Sequence, residues 1–153
     1  MLIIIEESEM QYQITMMTLN RYAELITFWN AAAGLSISDD DNYDNLQRFF
    51  KRNPKLNFVV LHENHIIGTI KCSHDGRRGY LHHLAVKDEF RHRGIERELV
   101  EKCVDNLRKE GIKEIRVFVL DSNNAGLEFW KHLGFTEQVY NYRTLAFRGN
   151  PVR

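Results

Sequence analysis

The sequence predicts a mixed α/β fold built around one sheet, and three observations carry that expectation. Three β-rich segments follow one another in mid-chain: NFVVLHEN (57–64), HIIGTIKCS (65–73) and YLHHLAV (80–86). After them helical and strand patterns alternate, with a helix over 94–110, a strand over 112–120, a helix over 123–135 and a strand over 136–147. The length of 153 residues, 43% of them apolar and 27% charged, suits one domain with room for a core, and no linker or repeat divides it.

Each element has its own warrant. YQITMMT (12–18) reads as a first strand. RYAELITFWNAAAGL (21–35) sets Tyr22, Leu25, Ile26 and Trp29 at helical spacing, with Gly34 near the stop. SDDDNYDNLQRFFKRNP (38–54) opens on a cap-and-acid cluster that complements a helix dipole and closes at Asn53-Pro54. Glu63-Asn64 turns the first β-rich segment into the second, and HDGRRG (74–79) turns the second into the third, Asp75-Gly76 being a strong hairpin signal. The helix over 94–110 aligns Ile95, Leu99, Val100, Cys103, Val104 and Leu107, and Gly111 stops it. IKEIRVFVL (112–120) has a near-continuous apolar centre, which predicts burial on both faces. NNAGLEFWKHLGF (123–135) is a short helix ending at Gly134, and TEQVYNYRTLAF (136–147) alternates as a last strand.

Composition removes several function classes. Twenty-one basic residues balance twenty-one acidic ones, so no general field attracts nucleic acid or an anionic membrane, and any anion site is local. No apolar run approaches the ~20 residues needed to span a bilayer, and MLIII is too short for a signal-peptide core. Cys72 and Cys103 are distant and lie in apolar segments, which favours two free thiols in a reducing cytoplasm. No CxxC or HExxH pattern appears among the scattered histidines, so no metal is expected. Monomer and homodimer both remain open.

The chemistry concentrates at RHRGIERELV (91–100), directly after the 80–86 strand. A helix starting at Gly94 presents unpaired N–H groups and the positive end of its dipole, and Arg91 and Arg93 add guanidinium forks suited to phosphate. On its own this reads equally as a basic, solvated loop.

Two motifs together favour the phosphate site. Arg91-His92-Arg93-Gly94 after LAVKDEF resembles the acetyl-CoA loop, Arg/Gln-x-x-Gly-x-Gly/Ala, of the GCN5-related N-acetyltransferase (GNAT) superfamily. Asn123, Phe129 and Leu133-Gly134-Phe135 resemble that family's second signature, and the order of elements agrees over nearly the whole chain. The turn and first helix look closest to small bacterial ribosomal-protein N-acetyltransferases. The resemblance implies a single 1–153 domain with a mixed, mostly antiparallel sheet of six to seven strands and about four helices. It implies acetyl-CoA as cosubstrate and a primary amine, small molecule or protein N-terminus or lysine, as acceptor. The pyrophosphate would lie on the N–H groups of residues 92–97, touching His92, Arg93, Gly94, Ile95 and Glu96 beside Arg91. The pantetheine would run along Leu84, Ala85 and Val86, with Asn123 bonding it or holding the loop beneath it. The amine would attack the thioester directly, with backbone N–H near Val86 supporting the oxyanion.

Two positions depart from the family pattern. Glu96 stands where Gly or Ala is usual; it suits a first helical turn but faces the phosphates with a like charge, which Arg93 and Arg97 could neutralise. Trp130 replaces the tyrosine thought to protonate the leaving thiolate. An indole is a donor with no acid–base role near neutral pH, so Trp130 bonds the sulfur, walls the channel or is core, and Tyr140, Tyr142 or water takes the acid duty. For a general base the resemblance points to strand 80–86. Alternation puts Tyr80, His82, Leu84 and Val86 on one face and Leu81, His83 and Ala85 on the other, so His82 and His83 point apart. His82, with Tyr80 beside it, is the candidate catalytic group; the competing reading is a half-buried sheet histidine, and His83 reads as packing or a surface partner. Arg77 and Arg78 at the hairpin tip either recognise an anionic acceptor or are simply solvated. The rival to an enzyme is a GNAT-fold regulator that binds acyl-CoA with little or no turnover.

Overall fold

A computed structural model describes residues 10–35, 37–140 and 142–149, so the MLIII start lies outside the described residues. The chain divides into two compact units, one ending at Leu120 and one starting at Asp121. The first unit holds a five-stranded sheet in the order β1 (Gln13–Met16), β2 (Phe58–His62), β3 (His65–His74), β4 (Arg78–Val86) and β5 (Glu114–Val117). The first three pairings are antiparallel and β4–β5 is parallel. Its helices are α1 (Tyr22–Ala31), α2 (Tyr43–Arg52) and α3 (Ile95–Lys109); the second unit contains α4 (Asn124–His132).

The turns form where the sequence places them. Glu63 and Asn64 both have positive φ, 49° and 64°, the backbone that lets a two-residue turn follow the twist of a β-hairpin. At the next turn Asp75 Oδ1 accepts from the backbone N–H groups of Arg77 (2.9 Å) and Arg78 (3.0 Å). Those two bonds, with the Arg77 side chain, hold the Asp75 carboxyl well below the usual carboxylate range. At the end of α3, Ile112 N–H donates to Leu107 O and Gly111 N–H to Arg108 O, both 3.0 Å, with Gly111 at φ +84°. This pair of bonds satisfies carbonyls that a helix end otherwise leaves free.

Among the described residues the sheet has five strands where six to seven were expected. The 136–147 segment carries the alternating pattern, but its described residues adopt no regular structure, and Val139, Leu145 and Phe147 are exposed. Alternation states which side of a strand would be buried; a strand exists only once a neighbour supplies the other half of the ladder. The 112–120 segment is likewise shorter than its pattern, since only Glu114–Val117 is paired and Phe118 and Leu120 are exposed.

The core of the first unit has two sides. Leu99, Cys103 and Leu107 of α3 are fully buried, and a Cβ on Gly79 would come within 2.6 Å of Leu107, so β4 needs glycine there for α3 to approach. On the other face Leu25, Phe28 and Trp29 of α1 and Leu46 of α2 pack with Val59, Ile66 and Ala85. This second face also carries charge. Lys71 Nζ in β3 is 2.7 Å from Asp41 Oδ1, in the 3-10 turn before α2, and the two residues are only 7% and 4% exposed. The other carboxylate oxygen, Oδ2, lies 2.8 Å from His83 Nε2. Lys71 Nζ also sits over the rings of Phe49 (4.7 Å) and Trp29 (5.7 Å).

Burial by itself would raise the Asp41 pKa; the hydrogen bonds and charges of His83 and Lys71 outweigh it and hold the carboxyl at about 2, below its ordinary 3.8. A carboxyl depressed in this way contributes stability that is complete above its unfolded value and is lost as pH falls through about 2. Asp41→Asn leaves Lys71 buried beside a neutral amide, and we expect it to cost about 3–5 kcal/mol at pH 7. Urea unfolding should show the gap between wild type and variant narrowing as pH falls below about 4. A gap of constant size down to pH 2 would mean that ionisation of Asp41 does not stabilise the fold.

Candidate active site

β4 carries the site because its neighbour leaves it early. The parallel ladder with β5 ends at Leu81–Val117, while β4 continues to Val86. Among the described residues, the edge from His82 to Val86, about 16 Å at ~3.3 Å per residue, has no strand beside it on that side. Lys87 N–H donates to Ile67 O (2.8 Å), which makes this a hydrogen-bonded pair of the antiparallel ladder. The next opposed pair, Gly68–Val86, is therefore the kind whose N–H and C=O groups point away from each other. The Val86 N–H and C=O thus face the open edge. Arg91 Nε donates to that carbonyl (3.2 Å) and approaches Asp88 Oδ1 (3.3 Å), tying the following loop to the strand and leaving the Val86 N–H as the outward donor.

An extra residue in β4 rearranges its side chains. Thr69 opposes Ala85 and Lys71 opposes His82, so two steps along β3 match three along β4. The bulge falls at His83, whose φ is +49°. Opposed residues share a face, so His82 lies on the face of Lys71 and Ala85 on the face of Thr69; His83 reaches Asp41 on that face too. The alternation expected from sequence therefore fails beyond His82. His82 and His83 do not point apart, Ala85 packs in the core under α1, and Leu84 and Val86 turn to the α3 face. A bulge adds one residue without changing composition, so the period of two breaks with no mark in the letters.

His83 is held from three sides. Its carbonyl accepts from Thr69 Oγ1 (2.8 Å), which in turn accepts from Trp29 Nε1 (2.9 Å); Trp29 also meets the imidazole edge-on at 4.9 Å between ring centroids. His82 stacks on Tyr80 (6.4 Å, 18°), and Tyr80 stacks in turn on Phe118 (6.3 Å, 7°). Burial first, then the charges of Lys71 and His83, push the His82 pKa down to about 4, so its imidazole is neutral at physiological pH but weakly basic.

Past Val86 a 3-10 turn (Asp88–Phe90) leads to α3, with His92 at φ +62° and Gly94 at φ +81°. An added Cβ on Gly94 would touch nothing within 4 Å, so glycine is needed here for the backbone angle rather than for space. No side chain caps the helix, and its first turn bond runs from Glu98 N–H to Gly94 O (3.1 Å). The N–H groups of Ile95, Glu96 and Arg97 consequently have no intrahelical acceptor. Ile95 is fully buried, so only its backbone can meet a ligand. Arg97 pairs with Glu101 (2.9 Å) instead of neutralising Glu96, whereas Arg93 is exposed with no ion pair among the described residues. Beside this loop is a cavity of about 540 Å³ lined in part by Thr27, Phe28 and Ala31 of α1, Ile66 of β3, Val86 and Arg91.

The other expected residues have local duties. Arg77 pairs with Asp75 (3.0 Å) and Arg78 with Glu114 (3.1 Å), both at the opposite end of β4 from Val86. In the second unit Asn123 caps α4, its Oδ1 accepting from Gly126 N–H (2.9 Å). The Leu133-Gly134-Phe135 turn closes that helix: Phe135 N–H donates to Trp130 O (3.1 Å), Gly134 N–H to Lys131 O (3.0 Å), and Gly134 has φ +93°. Phe135 then packs on Trp130 at 5.0 Å, the apolar contact that accompanies such a helix stop. Within its own unit Trp130 is thus a packing residue. Among the described residues no group of histidine, cysteine and carboxylate side chains could hold a metal ion, and no helix is long and apolar enough to cross a membrane.

Sequence reasoning missed Asp41, Lys71, Thr69 and Trp29 as parts of this site. Asp41 sits in an acidic cluster that a helix N-terminus explains well enough. The available signal was Lys71, a charge in the middle of the apolar run HIIGTIKCS, which demands a buried partner.

Comparison with known proteins agrees with this architecture. Residues 22–135 match the acetyltransferase (GNAT) family. The N-alpha-acetyltransferase 30 of Schizosaccharomyces pombe is 32% identical over 105 residues, which cover 62% of this chain and 70% of that protein. The solved NatC complex bound to Gag peptide and CoA superposes with a TM-score of 0.71 at 24% identity, covering 85% of this chain and 87% of that one. The ribosomal-protein-S18-alanine N-acetyltransferase of Escherichia coli gives 0.67 at 19%, covering 84% and 80%. A site whose open strand edge runs to an uncapped helix N-terminus, in a chain matched by the family over most of its length, makes this protein a member of the GNAT acetyltransferase family.

Proposed function

We propose that the protein transfers the acetyl group of acetyl-CoA to the α-amino group of a protein N-terminus, as one cytoplasmic acetyltransferase domain to which both units belong. The family match spans residues on both sides of Leu120, which supports the single domain, and the free, buried Cys72 and Cys103 suit a reducing compartment. The observation that carries the reading is the unpaired β4 edge from His82 to Val86, which leads straight to the N-terminus of α3. Backbone groups at Leu84 and Val86 would bond a pantetheine arm as a neighbouring strand would. The N–H groups of residues 92–97, with the Arg93 guanidinium, would hold a pyrophosphate. The Val86 N–H, already aimed outward, would support the oxyanion that develops as the amine adds to the thioester carbonyl. The acceptor class is drawn from the likeness to N-alpha-acetyltransferase 30. With Trp130 engaged at the end of α4, no residue is assigned to protonate the thiolate, which is a fairly good leaving group without an acid.

The direct test is release of CoA thiol from acetyl-CoA over a panel of peptides with free N-termini, N-terminally blocked lysine peptides and small amines. We expect turnover with free N-termini and none with the blocked set. Turnover confined to small amines would overturn the acceptor assignment, and CoA binding without turnover on any amine would leave a binding protein. Calorimetry tests the cofactor loop separately. Arg93→Ala should weaken CoA about tenfold, Arg97→Ala should leave it unchanged, and Glu96→Gly should tighten it by up to about tenfold, the ~1.4 kcal/mol scale of one screened charge contact. If Glu96→Gly has no effect, the carboxylate points away from the phosphates.

A further inference from the structure

The bulge brings two imidazoles to one face of β4 beside the open edge, and their surroundings differ. His82 is in contact with no carboxylate; burial and the charge of Lys71 disfavour its protonated form. His83 has its Nε2 2.8 Å from Asp41 Oδ2, and Asp41 is fixed on its other side by Lys71 Nζ at 2.7 Å. No buried side-chain nitrogen or oxygen of the described residues lacks a hydrogen-bond partner. Among the described residues His83 Nδ1 makes no such bond, so this nitrogen is not fully buried, and the side chain is 15% exposed. The tautomer that donates Nε2–H to the carboxylate leaves a lone pair on that accessible nitrogen. A base within reach of the reacting centre, oriented by a third group, is the arrangement that proton abstraction requires.

We infer that His83, oriented by Asp41, accepts the proton of the incoming amine in the acetyl transfer, an assignment that rests on the function proposed above. The ammonium form of the acceptor gives one proton to His83 Nδ1, directly or through one water, and becomes a neutral amine. Its lone pair forms the C–N bond to the thioester carbonyl carbon. Collapse of the tetrahedral adduct breaks the C–S bond, and the second proton of the attacking nitrogen neutralises the departing thiolate. His83 then returns its proton to water, and the products are the amide, CoA thiol and one proton. Trp29 and the Thr69 bond to the His83 carbonyl keep the ring at the bulge, so Asp41, Thr69 and Trp29 are positioning residues. The charged and titratable groups facing His83 are Asp41 from the turn before α2, Lys71 from β3 and His82 from β4.

The test compares pH profiles of kcat/KM for a peptide acceptor in wild type, His83→Gln and His82→Gln, with CoA affinity measured alongside. We expect His83→Gln to lower kcat about 100- to 1000-fold and to abolish the acidic limb, with CoA affinity within about twofold. His82→Gln should keep the limb. A limb that survives in His83→Gln, or disappears in His82→Gln, overturns the assignment. Should His83→Gln not fold, nitrogen NMR of the wild-type imidazoles with a CoA–peptide bisubstrate analogue decides. We expect the His83 Nδ1 resonance to move on binding and the His82 ring to move less. An analogue that binds more tightly than CoA without moving His83 Nδ1 overturns the base. One that binds no more tightly than CoA overturns the acceptor reading, and the proton acceptor falls with it.

Discussion

The ion pair between Asp41 and Lys71 is the interaction on which the site depends, because it is buried and therefore cannot be half made. A lysine in the middle of a sheet would be prohibitively costly alone; the carboxylate of Asp41 at 2.7 Å, with the rings of Phe49 and Trp29, makes it tenable. The second carboxylate oxygen is then fixed in space, and His83 is the group that meets it. The positive φ of His83 is strain of the kind that persists only where surrounding contacts over-determine it. Here those contacts are the carboxylate, the indole and the threonine hydroxyl.

The same bulge changes the rest of β4. One extra residue returns Leu84 and Val86 to the α3 face and aims the Val86 N–H at the edge that β5 has left. Arg91 takes up the Val86 carbonyl and draws the chain into the loop that ends at Gly94. Backbone donors along a free edge and around a helix N-terminus therefore form one continuous polar track. In the function proposed above, this track recognises the cofactor by main-chain hydrogen bonds.

Much of the fold was legible in the sequence for local reasons. The hairpin turns at Glu63-Asn64 and Asp75-Gly76, the buried face of α3 from Ile95 to Leu107, and the glycine stops at Gly111 and Gly134 all follow from the conformations that single residues permit. The two motifs were legible as well, but partly for other reasons than binding. Asn123 and Leu133-Gly134-Phe135 are the cap and the stop of α4, so their spacing records how a short helix begins and ends. The strand expected over 136–147 was not obtained, because alternation specifies faces and leaves the partner unspecified.

The sequence by itself determined the order of elements, most of their ends, and the place of the glycine loop that opens α3, since each depends on backbone preferences and periodicities a few residues long. Only the tertiary structure decided which histidine has a carboxylate, which way Leu84 and Val86 face, and why Lys71 is tolerated in an apolar strand. Those depend on contacts between residues 30 and 42 positions apart, Lys71 and His83 each with Asp41. They also depend on a one-residue bulge whose position is set by what the sheet packs against. Local pattern carries no information about such a partner, and the proton transfer inferred for His83 rests on it.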